Sequence, residues 1–183
     1  MTDTQKKPLW KNELVWLFLI TSGLFAILYS KFILGGYAYV FTDTGADTMQ
    51  INYAQYGLFS SLFRSGESGY VLQAGLGMDV SSYYPAYLIP YNLLILLAPQ
   101  RLLPWAVLAS AYLKIITISL VGYLFYRKLM QDGIGTMAAA LAWTFSGYVI
   151  LWGQHYGFCT CMALFTVFMY FLQCYLNGEQ RWK

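Results

Sequence analysis

The fold is decided by the stretch from Trp105 to Tyr126, which reads WAVLASAYLKIITISLVGYLFY. This stretch is apolar except for a few small hydroxyl groups and one charged residue, Lys114. A helix needs about 20 mainly apolar residues to cross a bilayer, and the stretch meets that length. Three further runs meet it as well: 14–34, 134–152 and 158–176. The sequence therefore predicts an all-α, polytopic transmembrane helix bundle of about four spans.

The composition agrees with a chain whose main solvent is lipid. Hydrophobic residues make up 58% of the 183 residues and charged residues only 10%, whereas a soluble domain carries about 25% charged residues. The net charge of +3 is small and the basic residues are scattered, which argues against nucleic acid as a partner. The three cysteines lie in one apolar segment and are too few and too close for a disulfide framework. We interpret them as small apolar membrane residues: Cys159, Cys161 and Cys174.

One proline-containing segment, 83–98, decides the topology. Its length of about 16 residues and its prolines favour an interfacial or re-entrant piece over a span. If this segment does not cross, seven Lys and Arg residues lie on the cytoplasmic side and only Arg64 and Arg101 lie outside. The positive-inside rule favours that arrangement. Both termini are then cytoplasmic, and the loops are a cytoplasmic tail at 1–13, a large outer loop at 35–104, a short outer turn at 153–157 and a cytoplasmic end at 177–183.

The large outer loop contains a predicted amphipathic helix. Thr44 and Asp47 fit the capping box [ST]-x-x-[DE], which opens a helix, and Gly66 marks its end. Apolar residues recur at spacings of three and four, which predicts one apolar stripe on a helix at the outer membrane surface. The stripe consists of Met49, Tyr53, Tyr56, Phe59 and Phe63, and Thr48, Asn52 and Gln55 lie off it. The glycine-rich stretch 75–79 predicts a tight loop.

Asp43 and Asp47 are the first candidates for chemistry. They are four residues apart, so they face the same way if both lie on or beside the helix start. Two nearby carboxylates repel each other, which favours protonation of one or a cation between them. One interpretation is a general base with a partner that handles a metal ion or a phosphate. The alternative is that Asp47 caps a helix and Asp43 lies in a turn.

The candidates outside that pair are Lys114 and the turn around His155. An ammonium in mid-span costs at least ~2.5–3.5 kcal/mol on insertion scales, so Lys114 should face the bundle interior, where it would pair with a loop carboxylate or hold an anionic phosphate. Snorkelling is the alternative for Lys114 and the better interpretation for Lys31 at the outer end of the first span. His155, with Gln154, could hydrogen-bond as a lid or hold a sugar or phosphate, and interfacial packing is the alternative.

A set of motifs in chain order resembles the N-terminal part of the YfhO family of bacterial membrane proteins. The resemblance runs from about residue 14 to the end, and its motifs are specific as an ordered set rather than singly. They are Thr42-Asp43-Thr44-Gly45-Ala46-Asp47-Thr48 with Gln50 and Tyr53, Arg64-Ser65-Gly66-Glu67, Gly75-Leu76-Gly77-Met78-Asp79, Lys114 with Tyr123-Leu124-Phe125-Tyr126-Arg127-Lys128, Phe145-Ser146-Gly147-Tyr148, and Leu151-Trp152-Gly153-Gln154-His155-Tyr156.

That family is similar to the GT-C class of glycosyltransferases, which implies a multi-pass protein of the bacterial cytoplasmic membrane. Such enzymes move a sugar from a polyprenyl-phosphate carrier to an acceptor outside the membrane, here a cell-envelope polymer. The resemblance implies Asp47, and then Asp43, as the catalytic acidic residue. Cationic groups or a divalent cation must hold the departing phosphate. The substrate- and phosphate-binding candidates are Lys114, Arg64, Glu67, Gln154 and His155.

The chain departs from the family in length, since family members are several times longer and have many more spans. The positions around the last span also look altered, at 165–167 and at Gln173. Two other interpretations therefore stay open beside a glycosyltransferase or its N-terminal module. One is a non-catalytic membrane protein that binds a lipid-linked sugar or assists a partner enzyme in the membrane. The other is an inactive fragment of a longer protein.

Overall fold

The computed structural model describes residues 12–41, 47–67, 69–72, 77–82, 89–130 and 132–179. The predictions that concern Asp43, Thr44 and residues 83–88 lie outside these ranges, as does most of the predicted 1–13 tail. The chain divides into two compact units. Unit one comprises Met1–Ser30, Lys114–Trp152 and Phe158–Lys183, and unit two comprises Lys31–Leu113 and Gly153–Gly157.

The described chain is mainly helical, which confirms the predicted all-α class. A π-helical turn, Thr48–Tyr53, runs directly into the helix Ala54–Ser65, and short 3₁₀ turns occur at Val80–Ser82, Pro90–Asn92 and Gln100–Leu102. The helices are α1 Glu13–Leu28, α2 Ser30–Leu34, α3 Ala54–Ser65, α4 Leu93–Leu97, α5 Leu103–Leu129, α6 Gly133–Thr144, α7 Gly147–Trp152 and α8 Tyr156–Leu176. Two short strands, β1 Tyr70–Val71 and β2 Met78–Asp79, pair antiparallel.

Three helical stretches of the described chain are long and apolar enough to cross a membrane: Gln100–Leu129, Gly133–Trp152 and Tyr156–Leu176. The predicted first span is divided instead. Helix α1 has 16 residues and ends before Tyr29, which leaves the helical conformation (φ −103°, ψ 17°) while its ring stacks on Phe25 at 4.4 Å. Helix α1 alone is shorter than the roughly 20 residues that a span needs, so the count of four spans is not confirmed.

Unit one is held together by apolar packing and by hydrogen bonds between its helices. Leu17 of α1, Tyr123 of α5 and Ala140 of α6 form its buried core. The fully buried hydroxyls of Thr21 and Ser119 lie 2.7 Å apart and join α1 to α5. Hydrogen bonds of this kind between membrane helices contribute about 0.6 kcal/mol on average.

The core of unit two lies between α3, α4 and the β-strands. It consists of buried apolar side chains, among which Phe59 has no exposed surface: Phe59, Leu62, Val71, Val80 and Leu96. The Ser60 hydroxyl donates to the Ala98 carbonyl at 2.7 Å, which fixes α3 against the end of α4. Of the tight loop predicted for 75–79, residues 75 and 76 lie outside the described ranges, and Met78–Asp79 forms a strand whose backbone pairs with that of Tyr70–Val71.

The helix of the outer loop ends where it was predicted to end. Gly66 has a left-handed conformation (φ 72°) and terminates α3. Tyr56 and Phe59 of the predicted stripe are buried and Met49 is 58% exposed, and contact of the stripe with a membrane surface stays a prediction. Thr48, which lies off the stripe, is fully buried, and the i→i+5 hydrogen bonds of the π-helical turn rotate its side chain relative to an α-helical count. The predicted capping box pairs Asp47 with Thr44, which lies outside the described residues, so it stays a prediction.

Candidate functional site

The N-terminal end of the π-helical turn lies against the outer turn 153–157 within unit two. The buried Thr48 hydroxyl donates to the Gln154 carbonyl at 3.3 Å, and Thr48 directly follows Asp47. The side chains of Asp47, Gln154 and His155 are partly exposed. Two candidate segments more than 100 residues apart in sequence therefore meet at this end of the helix.

Three tyrosines form an aromatic wall beside this meeting point. Tyr156 is 3% exposed, and its ring stacks on Tyr56 at 5.3 Å and on Tyr39 at 5.8 Å between centroids. Its hydroxyl donates to the Tyr39 carbonyl, and the Tyr56 hydroxyl donates to Asn92 Oδ1 at 3.4 Å. All three tyrosines are buried, so the wall belongs to the packed interior of the unit and holds the two segments together.

Tyr53 and Asn52 complete the same end of the helix. Burial raises the pKa of the Tyr53 phenol above its usual value, so this hydroxyl stays protonated at neutral pH and can donate a hydrogen bond. The Asn52 amide donates to the Asp47 carbonyl at 3.3 Å, which fixes the backbone of Asp47. The surroundings thus combine a carboxylate, an imidazole, hydroxyl donors and aromatic faces.

Arg64 and Glu67 lie at the opposite end of the helix from Asp47. Continuous helix separates Asp47 from Arg64, which corresponds to a distance on the order of 20–25 Å at about 1.5 Å per residue. Glu67 follows the Gly66 terminator, and its N–H donates to the Leu62 carbonyl at 3.0 Å. Both side chains are exposed. The structure therefore does not bring Arg64 or Glu67 to the acidic residue with which the resemblance groups them.

Lys114 lies in the middle of α5 and is assigned to unit one. Its side chain is 2% exposed, which agrees with the expectation that it faces the protein interior. Asp47 is assigned to unit two, so a pair between Lys114 and a loop carboxylate stays a prediction.

A metal site is not formed by the part of the chain that the structure describes. No three His, Cys, Asp or Glu side chains within those residues lie close enough together to hold a metal ion. The prediction of a divalent cation between Asp43 and Asp47 involves one residue outside the described ranges, and it stays a prediction. The described cysteines are free thiols, as expected for small apolar residues.

The sequence reasoning missed Thr48 and Tyr39 as parts of this site. A count at 3.6 residues per turn places Thr48 off the apolar stripe, which gives no indication that it is buried. Tyr39 belongs to an alternating aromatic run with Tyr37 and Phe41, and that alternation was a signal that these rings act together. Tyr56 was found, but only as a member of the apolar stripe.

The chemistry of the site follows from its residue types, since no protein-family model, curated protein or solved structure matches this chain. A partly exposed carboxylate can accept a proton, and an imidazole and amide can hydrogen-bond hydroxyl groups. The three stacked tyrosines are buried, so they position these groups. This combination suits a ligand that carries several hydroxyl groups.

Proposed function

We propose that this chain is a membrane glycosyltransferase, or the N-terminal module of one, that works on the outer face of the bacterial cytoplasmic membrane. It would transfer a sugar from a polyprenyl-phosphate carrier to a cell-envelope polymer. The observation that supports the proposal most is the hydrogen bond from Thr48, which directly follows Asp47, to the Gln154 carbonyl, beside three stacked tyrosines. The ordered motifs that resemble the YfhO family, and through it the GT-C class, point the same way.

In the proposed reaction, Asp47 is the general base. Attack on the anomeric carbon requires removal of a proton from the acceptor hydroxyl, and a partly exposed carboxylate at a wall of rings is suited to that role. Gln154 and His155 would hydrogen-bond the sugar. The charge of the departing phosphate requires cationic groups, for which Lys114, or a divalent cation at Asp43 and Asp47, is proposed. Both termini are proposed to be cytoplasmic, with α1 and α2 together forming a fourth crossing.

A second candidate function is non-catalytic binding of a lipid-linked sugar, with the chain assisting a partner enzyme in the membrane. The position of Arg64 favours this candidate, because this cation lies at the far end of the helix from Asp47 and cannot stabilise a phosphate that leaves beside Asp47. A binder needs the aromatic wall and the hydrogen-bonding turn, but it does not need a base.

The experiment is Asp47→Asn at the native locus, with Asp79→Asn as the matched control. Asp79 is an exposed carboxylate of the same unit, and its asparagine can still accept the hydrogen bonds from Ser81. The sugar content of the cell-surface polymers is measured, and an immunoblot of the membrane fraction reports protein abundance. Transfer predicts loss of one sugar in Asp47→Asn alone, at normal abundance. Unchanged sugar in both variants would contradict a catalytic Asp47 and leave the binder.

A further inference from the structure

A cavity of about 430 Å³ lies in unit two at the end of α2. Its volume falls within the range of about 300–1,000 Å³ that is typical of small-molecule sites. Among the described residues, the lining comes from one short stretch of chain: Lys31, Phe32, Gly35, Tyr37, Ala38 and Val40. Neither the proposed transfer reaction nor the motifs of the resemblance use any of them.

The backbone around Gly35 and Gly36 builds this cavity. The Gly35 N–H donates to the Lys31 carbonyl at 3.0 Å and closes the last turn of α2. Gly36 then has φ 69°, a conformation that side chains other than glycine rarely adopt, and it reverses the chain. The Tyr37 ring lies close to Gly35, because a Cβ added at Gly35 would be 2.9 Å from that ring. The reversal therefore places Lys31 and Tyr37 around one cavity.

An aromatic cluster makes the cavity rigid on its inner side. The Phe32 ring meets the Tyr39 ring edge to face at 5.1 Å and the Phe41 ring at 5.6 Å. Tyr39 and Phe41 are also 5.1 Å apart, at 79°. Three mutually packed rings hold Phe32 in position, so the cavity is a formed part of the fold.

The polar chemistry of the cavity suits a single anionic group. Lys31 is exposed. Within the described residues the ion pair joins Lys128 to Glu179, and no carboxylate of those residues pairs with Lys31. Tyr37 carries a hydroxyl donor and is 68% exposed. An ammonium group and a phenol at the mouth of a cavity offer a charge-assisted hydrogen bond and a neutral one to a phosphate oxygen.

The surroundings of the cavity suit a lipid as the source of that phosphate. Helix α2 directly follows the apolar α1, and Leu34 at its end is 85% exposed. An exposed leucine beside lysine and tyrosine is typical of the membrane–water interface. A lipid that placed its phosphate at Lys31 would have its acyl chains next to that apolar surface, whereas a soluble phosphate would gain nothing from it.

We propose that this cavity, the α2 cavity, binds the phosphate group of an anionic membrane lipid through Lys31 and Tyr37. The inference is independent of sugar transfer and holds equally for an enzyme or a binder. Because Tyr39 both packs on Phe32 and accepts the hydrogen bond of Tyr156, the occupied cavity would also brace the aromatic wall of the candidate site.

The test is a lipid titration of the purified full chain in a non-ionic detergent, with bound lipid counted by native mass spectrometry. The probes are phosphatidic acid, phosphatidylglycerol and, as a neutral comparison, phosphatidylcholine. Glycerol 3-phosphate and inorganic phosphate test the soluble source. We expect the two anionic lipids to bind more tightly than phosphatidylcholine, and the soluble phosphates to bind at least tenfold more weakly than the anionic lipids.

The variants separate charge from shape. Lys31→Gln should weaken binding of the anionic lipids about five- to tenfold, and Lys31→Arg should retain it. Ala38→Phe keeps every charge but fills the cavity, so it should also weaken binding. Arg101→Gln removes one exposed cation of the same unit outside the cavity, and it is the matched control that should bind as the parent chain does. Circular dichroism must show unchanged helix content.

Three results would overturn the proposal. If Lys31→Gln bound the anionic lipids as tightly as the parent chain does, Lys31 would not be part of the binding site. If Lys31→Gln and Arg101→Gln lost the same affinity for the anionic lipids, the lipids would be attracted by the overall charge of the chain and not by the α2 cavity. Binding of glycerol 3-phosphate as tight as that of phosphatidic acid would make the ligand a soluble phosphate. A failure of sugar transfer in Asp47→Asn has no bearing on any of these three readouts.

Discussion

Tyr156→Phe is the most informative single change in unit two. It removes the hydroxyl that donates to the Tyr39 carbonyl, and it leaves the ring that stacks on Tyr56 and Tyr39. Tyr39 is itself buried, so its carbonyl would lose a partner where water has little access. The change therefore isolates one hydrogen bond between the outer turn and the loop after α2.

The expected magnitude follows from that burial. Leaving a buried acceptor without its donor costs about 1–3 kcal/mol. Tyr156→Leu would remove the two ring contacts as well, at about 0.5–1.5 kcal/mol for each aromatic pair. The leucine variant should thus be the less stable by about 1–3 kcal/mol, in addition to any change in buried area.

Hydrogen exchange of the purified full chain, read peptide by peptide, measures this effect locally. Tyr156→Phe should speed exchange of the Thr48–Tyr53 amides about 5- to 150-fold, which is 1–3 kcal/mol expressed as a ratio of opening constants. The amides of α1, which belong to unit one, should keep their rates. Tyr148→Phe is the matched control, because Tyr148 is exposed and the change preserves its ring contact with Phe158.

Equal exchange at Thr48–Tyr53 in Tyr156→Phe and Tyr148→Phe would refute this reasoning. It would mean that the Tyr156 hydroxyl is replaceable by water, so that the ring stack alone holds the outer turn. An equal acceleration in α1 would refute it in another way, since the hydrogen bond would then stabilise the whole chain and not the one unit.

Three further predictions concern stability. Phe59→Ala should cost about 3–5 kcal/mol, because Phe59 has no exposed surface in the core of unit two, and a thermal melt followed by circular dichroism measures the loss. Thr21→Val should cost at most about 1.7 kcal/mol through its bond to Ser119, with no further loss when Ser119→Ala is added. Hydrogen bonds from the side chain and backbone of Ser81 lower the pKa of Asp79. The stability that the ionised Asp79 carboxylate adds to the fold is therefore fully present above the ordinary carboxyl pKa, and it is lost as the pH falls through the lowered pKa of Asp79. NMR titration of the Asp79 carboxyl should show Ser81→Ala raising that pKa.

Hydropathy predicted the membrane helices well where the helix is continuous. Helix α5 contains the whole predicted stretch 105–126, and Lys114 is buried in it as the cost of an exposed ammonium in lipid requires. Hydropathy did not reveal the helix break at Tyr29, because an apolar run reports which residues prefer lipid and carries no information on whether the backbone stays helical. At Tyr29 the backbone leaves the helical conformation, and the Tyr29 ring stacks on the Phe25 ring.

The burial of Thr48 could not be predicted for a different reason. A count at 3.6 residues per turn places Thr48 off the apolar stripe, whereas it is fully buried within the six π-helical residues Thr48–Tyr53. The hydrogen bond from Thr48 to the Gln154 carbonyl accompanies this burial. Its acceptor is more than 100 residues away in sequence, so no local pattern could have revealed it.

This long-range contact also decides how mutations at the candidate site should be interpreted. Asp47 precedes Thr48, and His155 lies between Gln154 and Tyr156, so each candidate for chemistry adjoins a residue that holds the two segments together. A loss of function at Thr48 or Tyr156 is therefore expected from structure alone, whether or not the chain is an enzyme. Only a change that leaves both contacts intact, such as Asp47→Asn, reports on chemistry, since the isosteric amide removes the negative charge and the proton acceptor without moving the helix. The role of Asp47 consequently rests on the comparison with Asp79→Asn and not on how strongly the neighbouring positions respond.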